Sequence, residues 1–372
     1  MRNYSCVRTR IYYLTEMNQN QTKIRIKDIA ELAGVSEGTV DRVLHNRGEV
    51  SAKSREQVEK VLTEINYSPN LIARSLASKK MYRFVCLIPE HSSADYWEKV
   101  EHGFDMAATE YLHYNIVLEK RYFNQFDAST FSAVCAEISE SLSDAVLMAP
   151  IFRDETLQFA QSLKARNIPF SFIDSMIEEA GFLTYYGQNS FQSGYVAARL
   201  LLQDLPADSK VIFLRTMRKG AVSNQTLARK SGFLQYIEDH GLQSLELINV
   251  EMNDKDEAAN LKTLTEVFEQ HENIRAAISF NSKVYRLAMH LQALEHSDVR
   301  LIGYDLLDEN VKYLQQGVVS FLIAQRPDKQ AYLTVRDLCT ELIFKQKVNR
   351  VNYMPIDILM KENIEDYLHF RE

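Results

Sequence analysis

The chain has 372 residues, of which 46% are hydrophobic and 25% charged. This composition supports a sizeable core in two or three domains and excludes an intrinsically disordered protein. The net charge of −7 is unevenly spread: residues 1–80 carry 14 basic and 9 acidic residues, a net of +5, which leaves about −12 for the remainder. A basic end on an acidic body is typical of a protein whose one end meets a polyanion, although chance can produce it in so short a segment.

Residues 1–22 are polar and are predicted to form a flexible tail. Their apolar stretch is too short for a secretory signal, and no run approaches the roughly 18 apolar residues of a spanning helix. We therefore expect a cytoplasmic protein that has no membrane partner. The four cysteines, at positions 6, 86, 135 and 339, are far apart in the sequence. They are expected to be free thiols in a reducing compartment, with no metal and no cofactor.

Two short helices are predicted first, over residues 27–33 and Glu37–Leu44. Gly34 follows the first helix, as expected where the chain needs the left-handed conformation of a helix end. Ser36 is placed to cap the second helix through its hydroxyl. In that helix Val40, Val43 and Leu44 are predicted to face inward.

A third helix is predicted after Ser51, which can cap it. Its apolar residues Val58, Val61, Leu62 and Ile65 follow the spacing of one helix face. Two short helices joined by a glycine-bearing turn, with a third packing helix, define a helix-turn-helix unit over residues 23–67. In such a unit the second helix is expected to enter the DNA major groove by its N-terminal end.

The second helix is predicted to present Glu37, Gly38, Asp41 and Arg42 outward. Arg42 is the candidate base reader, because a guanidinium can donate two hydrogen bonds to guanine; a phosphate contact is the alternative. Asp41 can accept from a cytosine amine or orient Arg42. Further candidate DNA contacts around these helices are Lys27, Ser36, Thr39, His45, Asn46, Ser51, Lys53 and Ser54. For Ser51, capping alone is an alternative role.

Residues 26–46, IKDIAELAGVSEGTVDRVLHN, closely resemble the headpiece of the LacI/GalR family of bacterial repressors. Residues 50–58, VSAKSREQV, and 66–76, NYSPNLIARSL, extend the resemblance over some 50 residues with hardly a gap. Two positions depart from the family pattern. Serine is usual where Asp41 stands, and a larger residue is common in place of Gly38, so operator preference is expected to differ.

The segment 68–81 is predicted to be a hinge helix and linker. Pro69 can begin a short helix, but residues 70–78 are too few for a stable helix alone. The resemblance implies that two such segments, one from each subunit, fold together in the minor groove. There Leu76 would wedge between base pairs, with Asn70 and Ala73 also in the hinge. An ordinary interdomain linker is the alternative.

From residue 82 onward, strand and helix patterns alternate, which predicts parallel sheets covered by helices on both faces. The strands are predicted at residues 84–88, 115–118, 145–148, 169–173, 211–214, 245–250, 276–280, 301–304 and 318–323. Nearly 290 residues are too many for one such sheet, so two lobes are expected over residues 82–372. Ligands bind at the carboxyl ends of strands, which indicates residues 90–97, Asp174, residues 188–189, Asn281 and Asp305.

Residues 82–372 also resemble a type I periplasmic-binding-protein fold, in which three strands cross between two lobes around a cleft. The matching landmarks are residues 187–194, GQNSFQSG; Arg229 four residues before Phe233; Phe280 with Asn281; residues 302–305, IGYD; and residues 325–327, QRP. The resemblance implies that Arg229, Asn281, Asp305 and Gln325 are effector-binding residues. It also implies a ligand-facing aromatic at Tyr96 or Trp97.

A polyol suits these residue types, since arginine, aspartate and asparagine give and take several hydrogen bonds. Asn189 and Ser282 stand where many family members have aspartate. Their presence together with Arg229 favours a sugar acid or phosphate as one alternative to a neutral sugar. Other roles are open: Trp97 in the core, Asp174 or Asp305 as helix caps, and Arg229 paired with a surface carboxylate.

These observations predict a homodimeric regulator, here a repressor, that binds double-stranded operator DNA under the control of a sugar or sugar acid. The alternative is a solute-binding protein of a sugar transport system, against which the basic headpiece and the lack of a secretion signal argue. An enzyme is not expected, because none of the common nucleotide-binding or hydrolase motifs occurs.

Overall fold

The structure is a computed structural model. It describes residues 25–44, 48–65, 80–216, 223–253, 256–296 and 298–370. The chain divides into two compact units, residues 1–74 and 75–372, which are described separately below. Of the predicted DNA contacts, His45, Asn46, Asn70, Ala73 and Leu76 lie outside the described residues.

The first unit contains three helices: α1 Ile26–Ala33, α2 Glu37–Leu44 and α3 Ala52–Glu64. They enclose a small core in which Ile29, Val40, Val58 and Ile65 are fully buried. Leu44 is half-buried and packs against this core. The predicted helix-turn-helix arrangement, with its third packing helix, is confirmed.

The ends of these helices are formed by the residues that the sequence indicated. Gly34 adopts φ 65° after α1, a conformation that costs glycine little. The hydroxyl of Ser36 accepts a hydrogen bond of 3.2 Å from the amide of Thr39, and that of Ser51 accepts one of 3.2 Å from Ser54. Both hydroxyls therefore cap the helices that follow them.

The first lobe of the second unit is built on a parallel sheet in the order β11-β5-β4-β3-β1-β2. Its strands are β1 Tyr82–Pro89, β2 Ile116–Phe123, β3 Ala145–Met148, β4 Phe170–Ile173, β5 Tyr185–Gln188 and β11 Val351–Met354. Its helices are α4 Tyr96–Glu110, α5 Ala128–Glu140, α6 Arg153–Ala165 and, later in the chain, α12 Pro327–Leu342. Along β1, Phe84 and Cys86 pack on one face of the sheet and Val85 and Leu87 on the other, so both faces are covered.

The second lobe has a sheet in the order β12-β10-β9-β8-β6-β7. Its strands are β6 Lys210–Thr216, β7 Glu246–Met252, β8 Ile274–Ser279, β9 Arg300–Tyr304, β10 Phe321–Ala324 and β12 Asp357–Leu359. Its helices are α7 Ser190–Leu202, α8 Asn224–Asp239, α9 Glu257–Gln270, α10 Val284–Ala293, α11 Asp308–Gln315 and α13 Ile364–His369. The two-lobed α/β fold is thus confirmed. Strand β12 runs antiparallel to β10, so this sheet is not wholly parallel.

One predicted strand begins later than expected. The apolar run 318–323 was predicted to be extended throughout, whereas β10 begins at Phe321. The amides of Val318 and Val319 instead donate to the carbonyl of Tyr313 near the end of α11, at 3.0 and 3.1 Å. These two valines are buried as part of a helix-ending turn, which an apolar pattern alone does not distinguish from a strand.

Three chain segments connect the lobes, and the side chain of Gln188 joins these segments to one another. The segments follow β5, β10 and β11, each of which ends in one lobe before the chain enters the other. The Gln188 amide donates hydrogen bonds of 3.0 Å to the carbonyl of Ala324 and of 3.0 Å to that of Pro355. Gln188 is buried, so these bonds fix the three connections to one another at the base of the cleft.

None of the helices within the described ranges is long and apolar enough to cross a bilayer. Cys86, Cys135 and Cys339 are buried free thiols, and burial raises the pKa of each. Cys6 lies outside the described residues.

Candidate DNA-binding and effector-binding sites

The exposed face of the helix-turn-helix unit carries most of the predicted DNA contacts that the structure describes. Lys27, Glu37, Gly38, Arg42 and Lys53 are exposed. Thr39 and Ser54 are half-buried, and so is Asp41, which the sequence predicted to face outward. Asp41 adjoins the buried Val40 and lies at the edge of the exposed face of α2.

Ser36 and Ser51 are exposed, but their hydroxyls are engaged in caps. Each also bonds a neighbouring hydroxyl, Ser36 with Thr39 and Ser51 with Ser54, both at 2.9 Å. A phosphate contact from either serine would therefore share an oxygen that already stabilises a helix end. Capping is thus a defined role for both residues, and their DNA contacts remain predictions.

Six of the eight predicted effector residues line one small cavity in the cleft between the lobes, of about 70 Å³. They are Tyr96, Trp97, Asp174, Asn281, Asp305 and Gln325. They are brought together because each lies at or just beyond the carboxyl end of a strand, or begins the helix after it. Trp97 is 6% exposed and packs in the core of the first lobe, so it is both a core residue and part of the cavity wall.

A chain of hydrogen bonds runs across this cavity from one lobe to the other. Tyr96 donates to a carboxylate oxygen of Asp174 at 2.7 Å, and the Gln225 amide donates to the same oxygen at 2.9 Å. Gln225 also donates to the side-chain oxygen of Gln325 at 2.9 Å, and Gln325 donates to Asp305 at 2.6 Å. The two buried carboxylates are therefore connected through two amides, one from α8 and one from a connecting segment.

Asp174 and Asp305 occupy equivalent positions in the two lobes. Each follows the last residue of a strand, β4 or β9, and each adopts a positive φ, of 68° and 72° respectively. Such a conformation is uncommon for residues other than glycine and is found where surrounding contacts hold it. Neither aspartate caps the helical segment after it: α11 has Leu307 at its cap position, and the short 3₁₀ turn after β4 has Ile177. The capping role considered from the sequence is therefore wrong for both.

Burial raises the pKa of Asp305 to about 6. Removal of the carboxylate from water is the main cause, and the nearby Asp174 raises the pKa further. Arg229, the hydrogen bond from Gln325, and Lys99 act in the opposite direction. Burial also raises the pKa of Tyr96 well above its usual range, so this phenol remains a hydrogen-bond donor.

Arg229 is fully buried behind the cavity and does not form its wall. One guanidinium nitrogen donates to the carbonyl of Phe280 at 2.8 Å, and the guanidinium carbon lies 3.7 Å from the ring centroid of Tyr304. Its Nε and second Nη have no hydrogen-bond partner among the described residues. The pairing with a surface carboxylate that the sequence left open is wrong, because Arg229 is inaccessible.

A close helix crossing sets the position of Arg229. A Cβ at Gly194 of α7 would lie 1.9 Å from the Arg229 carbonyl oxygen, so no larger residue fits there without moving α8. The final glycine of the predicted landmark GQNSFQSG therefore allows α7 and α8 to pack closely.

Asn189 is not brought to the wall of the cavity. Its side chain accepts a hydrogen bond of 3.0 Å from the amide of Gln192 and caps α7. An asparagine directly before a helix is suited to this role, and the structure gives Asn189 no part in the cavity wall.

Among the unpredicted residues in and behind the wall of the cavity, Gln225 and Asn310 have defined roles. Gln225 lies one helical turn before Arg229 in α8, so the spacing in the sequence puts both residues on the same face of that helix. Asn310 is fully buried and donates to the carbonyls of Ser282, Tyr304 and Asp305 at 2.8, 3.1 and 2.9 Å. It thereby holds the turns after β8 and β9, which carry Asn281 and Asp305.

A second and larger cavity, of about 990 Å³, opens beside the first. The two cavities share Tyr96, Asp305 and Gln325 in their walls. The larger cavity extends between α4 and the start of α12, and it reaches Tyr367 and Phe370 near the end of the chain. We call the smaller cavity the inner chamber and the larger one the outer groove.

A helix-turn-helix unit followed by a two-lobed α/β domain with a polar cleft defines a class of ligand-responsive DNA-binding proteins. Residues 25–70 match the family described as bacterial regulatory proteins, lacI family, and residues 84–346 match the periplasmic binding protein domain. The chain belongs to the lacI family and is a DNA-binding transcription regulator controlled by a small-molecule effector.

Individual relatives agree with this family. A crystal structure of a candidate LacI transcriptional regulator from Bacteroides fragilis is 39% identical, covers 77% of this chain and 100% of its own, and superposes with a TM-score of 0.74. The transcriptional repressor PurR of Proteus mirabilis is 25% identical over 301 residues, which cover 79% of this chain and 84% of that protein. GanP, a glucose-galactose binding protein of Geobacillus stearothermophilus, is 21% identical with a TM-score of 0.66 over 77% of this chain and 99% of its own, and shares the fold.

Proposed function

We propose that the protein is a homodimeric repressor that binds a pseudo-palindromic operator and responds to a hydroxyl-rich, uncharged sugar. The observation that carries this proposal is the pairing of an exposed reading helix, α2, with a cleft where Asp174 and Asp305 face one cavity. In this proposal residues 23–67 bind DNA, residues 68–81 form the hinge and residues 82–372 sense the ligand and form the dimer. The protein would act on the chromosome in the bacterial cytoplasm.

On the DNA side, Arg42 is the proposed base reader because it is exposed on α2 and long enough to reach a guanine edge. Lys27 and Lys53, also exposed, are proposed phosphate contacts. A dimer would present two such helices to half-sites about one helical turn apart.

On the ligand side, the two aspartates favour a neutral sugar over the sugar acid that the sequence also allowed. Asp174 raises the pKa of Asp305 through charge repulsion, and an anionic ligand in the same cavity would experience that repulsion from both carboxylates. Sugar hydroxyls would instead donate to these carboxylates and accept from Gln225, Gln325 and Tyr96.

The control of DNA binding is proposed to depend on the separation of the two lobes. Gln225 and Asp174 join the lobes on one side of the cleft, and Gln188 joins the connecting segments at its base. A ligand that binds one lobe separation more tightly than another shifts the population toward it, and that shift limits the change in operator affinity.

The test uses the full chain and sheared DNA of the source genome. The DNA fragments that the chain retains are sequenced. Their affinity for the chain is then measured by gel shift at several salt concentrations, with and without candidate sugars. We expect retention of a few fragments that share a pseudo-palindrome, salt-sensitive binding, and a change in affinity with one sugar. Absence of salt-sensitive binding to any fragment, with or without sugars, would refute the proposal.

A further inference from the structure

We propose that the effector is a linear oligosaccharide of two or more rings, bound with one terminal ring beside Asp305 and the following rings along the outer groove. This inference rests on the proposed function and names the ligand class of that site. It begins from the sizes of the two cavities. The inner chamber, at about 70 Å³, is far below the ~300–1,000 Å³ usual for ligand sites, so it can admit hydroxyl groups of a terminal ring but not the rest of the ligand. The outer groove, at about 990 Å³, lies at the upper end of the ~300–1,000 Å³ usual for ligand sites.

The outer groove is elongated as well as large. Its wall includes Tyr96, Lys99, His102, Met106 and Glu110, which recur every three or four residues on one face of α4. These residues span four turns of helix, or roughly 21 Å at about 1.5 Å per residue. A single sugar ring would occupy a small part of such a groove, whereas a chain of linked rings would follow its length.

Three aromatic rings line the outer groove and do not line the inner chamber. Tyr332 and Tyr367 are half-buried and Phe370 is exposed. Tyr332 donates a hydrogen bond of 2.6 Å to Glu110, and Tyr367 donates one of 2.8 Å to Asp357. Because their hydroxyls are held, these rings have defined positions, and their faces can pack against the apolar faces of sugar rings.

The charges of the groove do not favour an ionic ligand of either sign. Its lining contains four acidic residues, Glu98, Glu110, Asp305 and Asp328, and three permanently basic ones, Lys99, Arg326 and Lys329. Several are already engaged within the protein: Arg326 pairs with Asp357 at 2.7 Å, and Lys99 donates to the carbonyl of Leu306. A neutral ligand with many hydroxyl groups fits this mixture of donors, acceptors and rings.

The experiment measures binding of the full chain to glucose, galactose, xylose and arabinose and to linear trisaccharides of each, by calorimetry and thermal shift. We expect at least one trisaccharide to bind ten-fold or more tightly than its own monosaccharide and to raise the melting temperature further at equal concentration. A monosaccharide that binds as tightly as its trisaccharide would overturn the inference, and so would failure of all these sugars to bind.

A substitution in the outer groove tests where the outer rings of the trisaccharide bind. Met106 is 42% exposed in the wall of the groove and away from the inner chamber, so Met106→Trp should obstruct the outer rings. We expect it to weaken the trisaccharide ten-fold or more while monosaccharide affinity changes less than two-fold. Met360→Trp is the matched control, since Met360 is 37% exposed and lies outside both cavities. Equal effects of the two variants would contradict the proposed location. Operator binding, measured in parallel by gel shift, separates failure of this inference from failure of the proposed function.

Discussion

Gln225 of the second lobe donates a hydrogen bond of 2.9 Å to the carboxylate of Asp174 in the first lobe. The same amide nitrogen lies 2.9 Å from the side-chain oxygen of Gln325, which follows β10. Gln225 is held at the start of α8, which Ser223 caps by accepting from the amide of Thr226 at 3.3 Å. This one side chain therefore connects both lobes and a connecting segment at the ligand cavity.

Gln225→Ala removes these bonds and is expected to lower the free energy of unfolding by about 1–2 kcal/mol, because Asp174 and Gln325 each lose a partner. The lobes should also separate further on average, which small-angle X-ray scattering would detect as a larger radius of gyration. Gln235→Ala is the control, since Gln235 lies on the same helix and bonds only Glu238 and Asp239 of that helix among the contacts described. Identical scattering from both variants would show that Gln225 does not hold the lobes together.

The sequence predicted the acidic and amide residues of the cavity for a physical reason. Asp174 and Asp305 follow apolar strands directly and Asn281 follows one after a single residue, and the carboxyl ends of parallel strands meet at one edge. Gln225 had no such marker, because a glutamine in the first turn of a helix is common and carries no pattern. Its part in the site depends on how the two lobes face each other, which local sequence does not encode.

The strands that the sequence missed have a related explanation. Strands β5, β11 and β12 are four, four and three residues long, and they adjoin the segments that connect the lobes. Runs so short give no measurable periodicity, and unlike the equally short β3, which is apolar throughout, each contains a polar residue: Gln188, Asn352 or Asp357. Their pairing depends on distant contacts, such as those of Asn352, whose amide donates to Thr184 and to the Tyr185 carbonyl.

Arg42→Ala is expected to relax operator selection. Loss of a guanidinium that grips guanine should reduce discrimination at one base pair of each half-site by about 1–3 kcal/mol. Lys53→Ala is the comparison: as a phosphate contact it should weaken binding to all sequences equally and reduce the salt slope by about 1. Gel shifts with an operator and its single-base variants measure both effects. If Arg42→Ala left the order of preference among the operator variants unaltered, Arg42 would be a contact to the DNA phosphate backbone and not to a base.

Arg229→Met is expected to weaken effector binding ten-fold or more while the chain remains folded. Methionine retains much of the apolar stem that lies over Tyr304 but supplies no donor. Arg229→Ala is less informative, because truncation of so large a buried side chain should destabilise the lobe by about 2–5 kcal/mol. Calorimetry with the effector is the measurement, and Arg199→Met, at an exposed position on the neighbouring α7, is the control. Wild-type affinity in Arg229→Met would show that the guanidinium behind the cavity has no effect on effector binding.

The raised pKa of Asp305 predicts how the stability of the folded chain depends on pH. Its pKa is raised to about 6 by burial, above the value of about 4 for an unfolded aspartate. The folded chain therefore keeps a proton that the unfolded chain has lost between about pH 4 and 6, and stability from this group falls as pH rises through that window. The loss above pH 6 is on the order of 2–3 kcal/mol, since one pKa unit corresponds to about 1.4 kcal/mol.

Asp305→Asn removes this titration and keeps an oxygen that can accept from Gln325. Urea unfolding of wild type and variant at intervals from pH 4 to 7.5 should show the variant gaining stability relative to wild type as pH rises, with the gain complete near pH 7. Asp308→Asn, at an exposed position in the first turn of α11, should show no such trend. If the difference between Asp305→Asn and wild type were constant across this range, Asp305 would titrate as an ordinary carboxylate, and its burial between the lobes would not persist in solution.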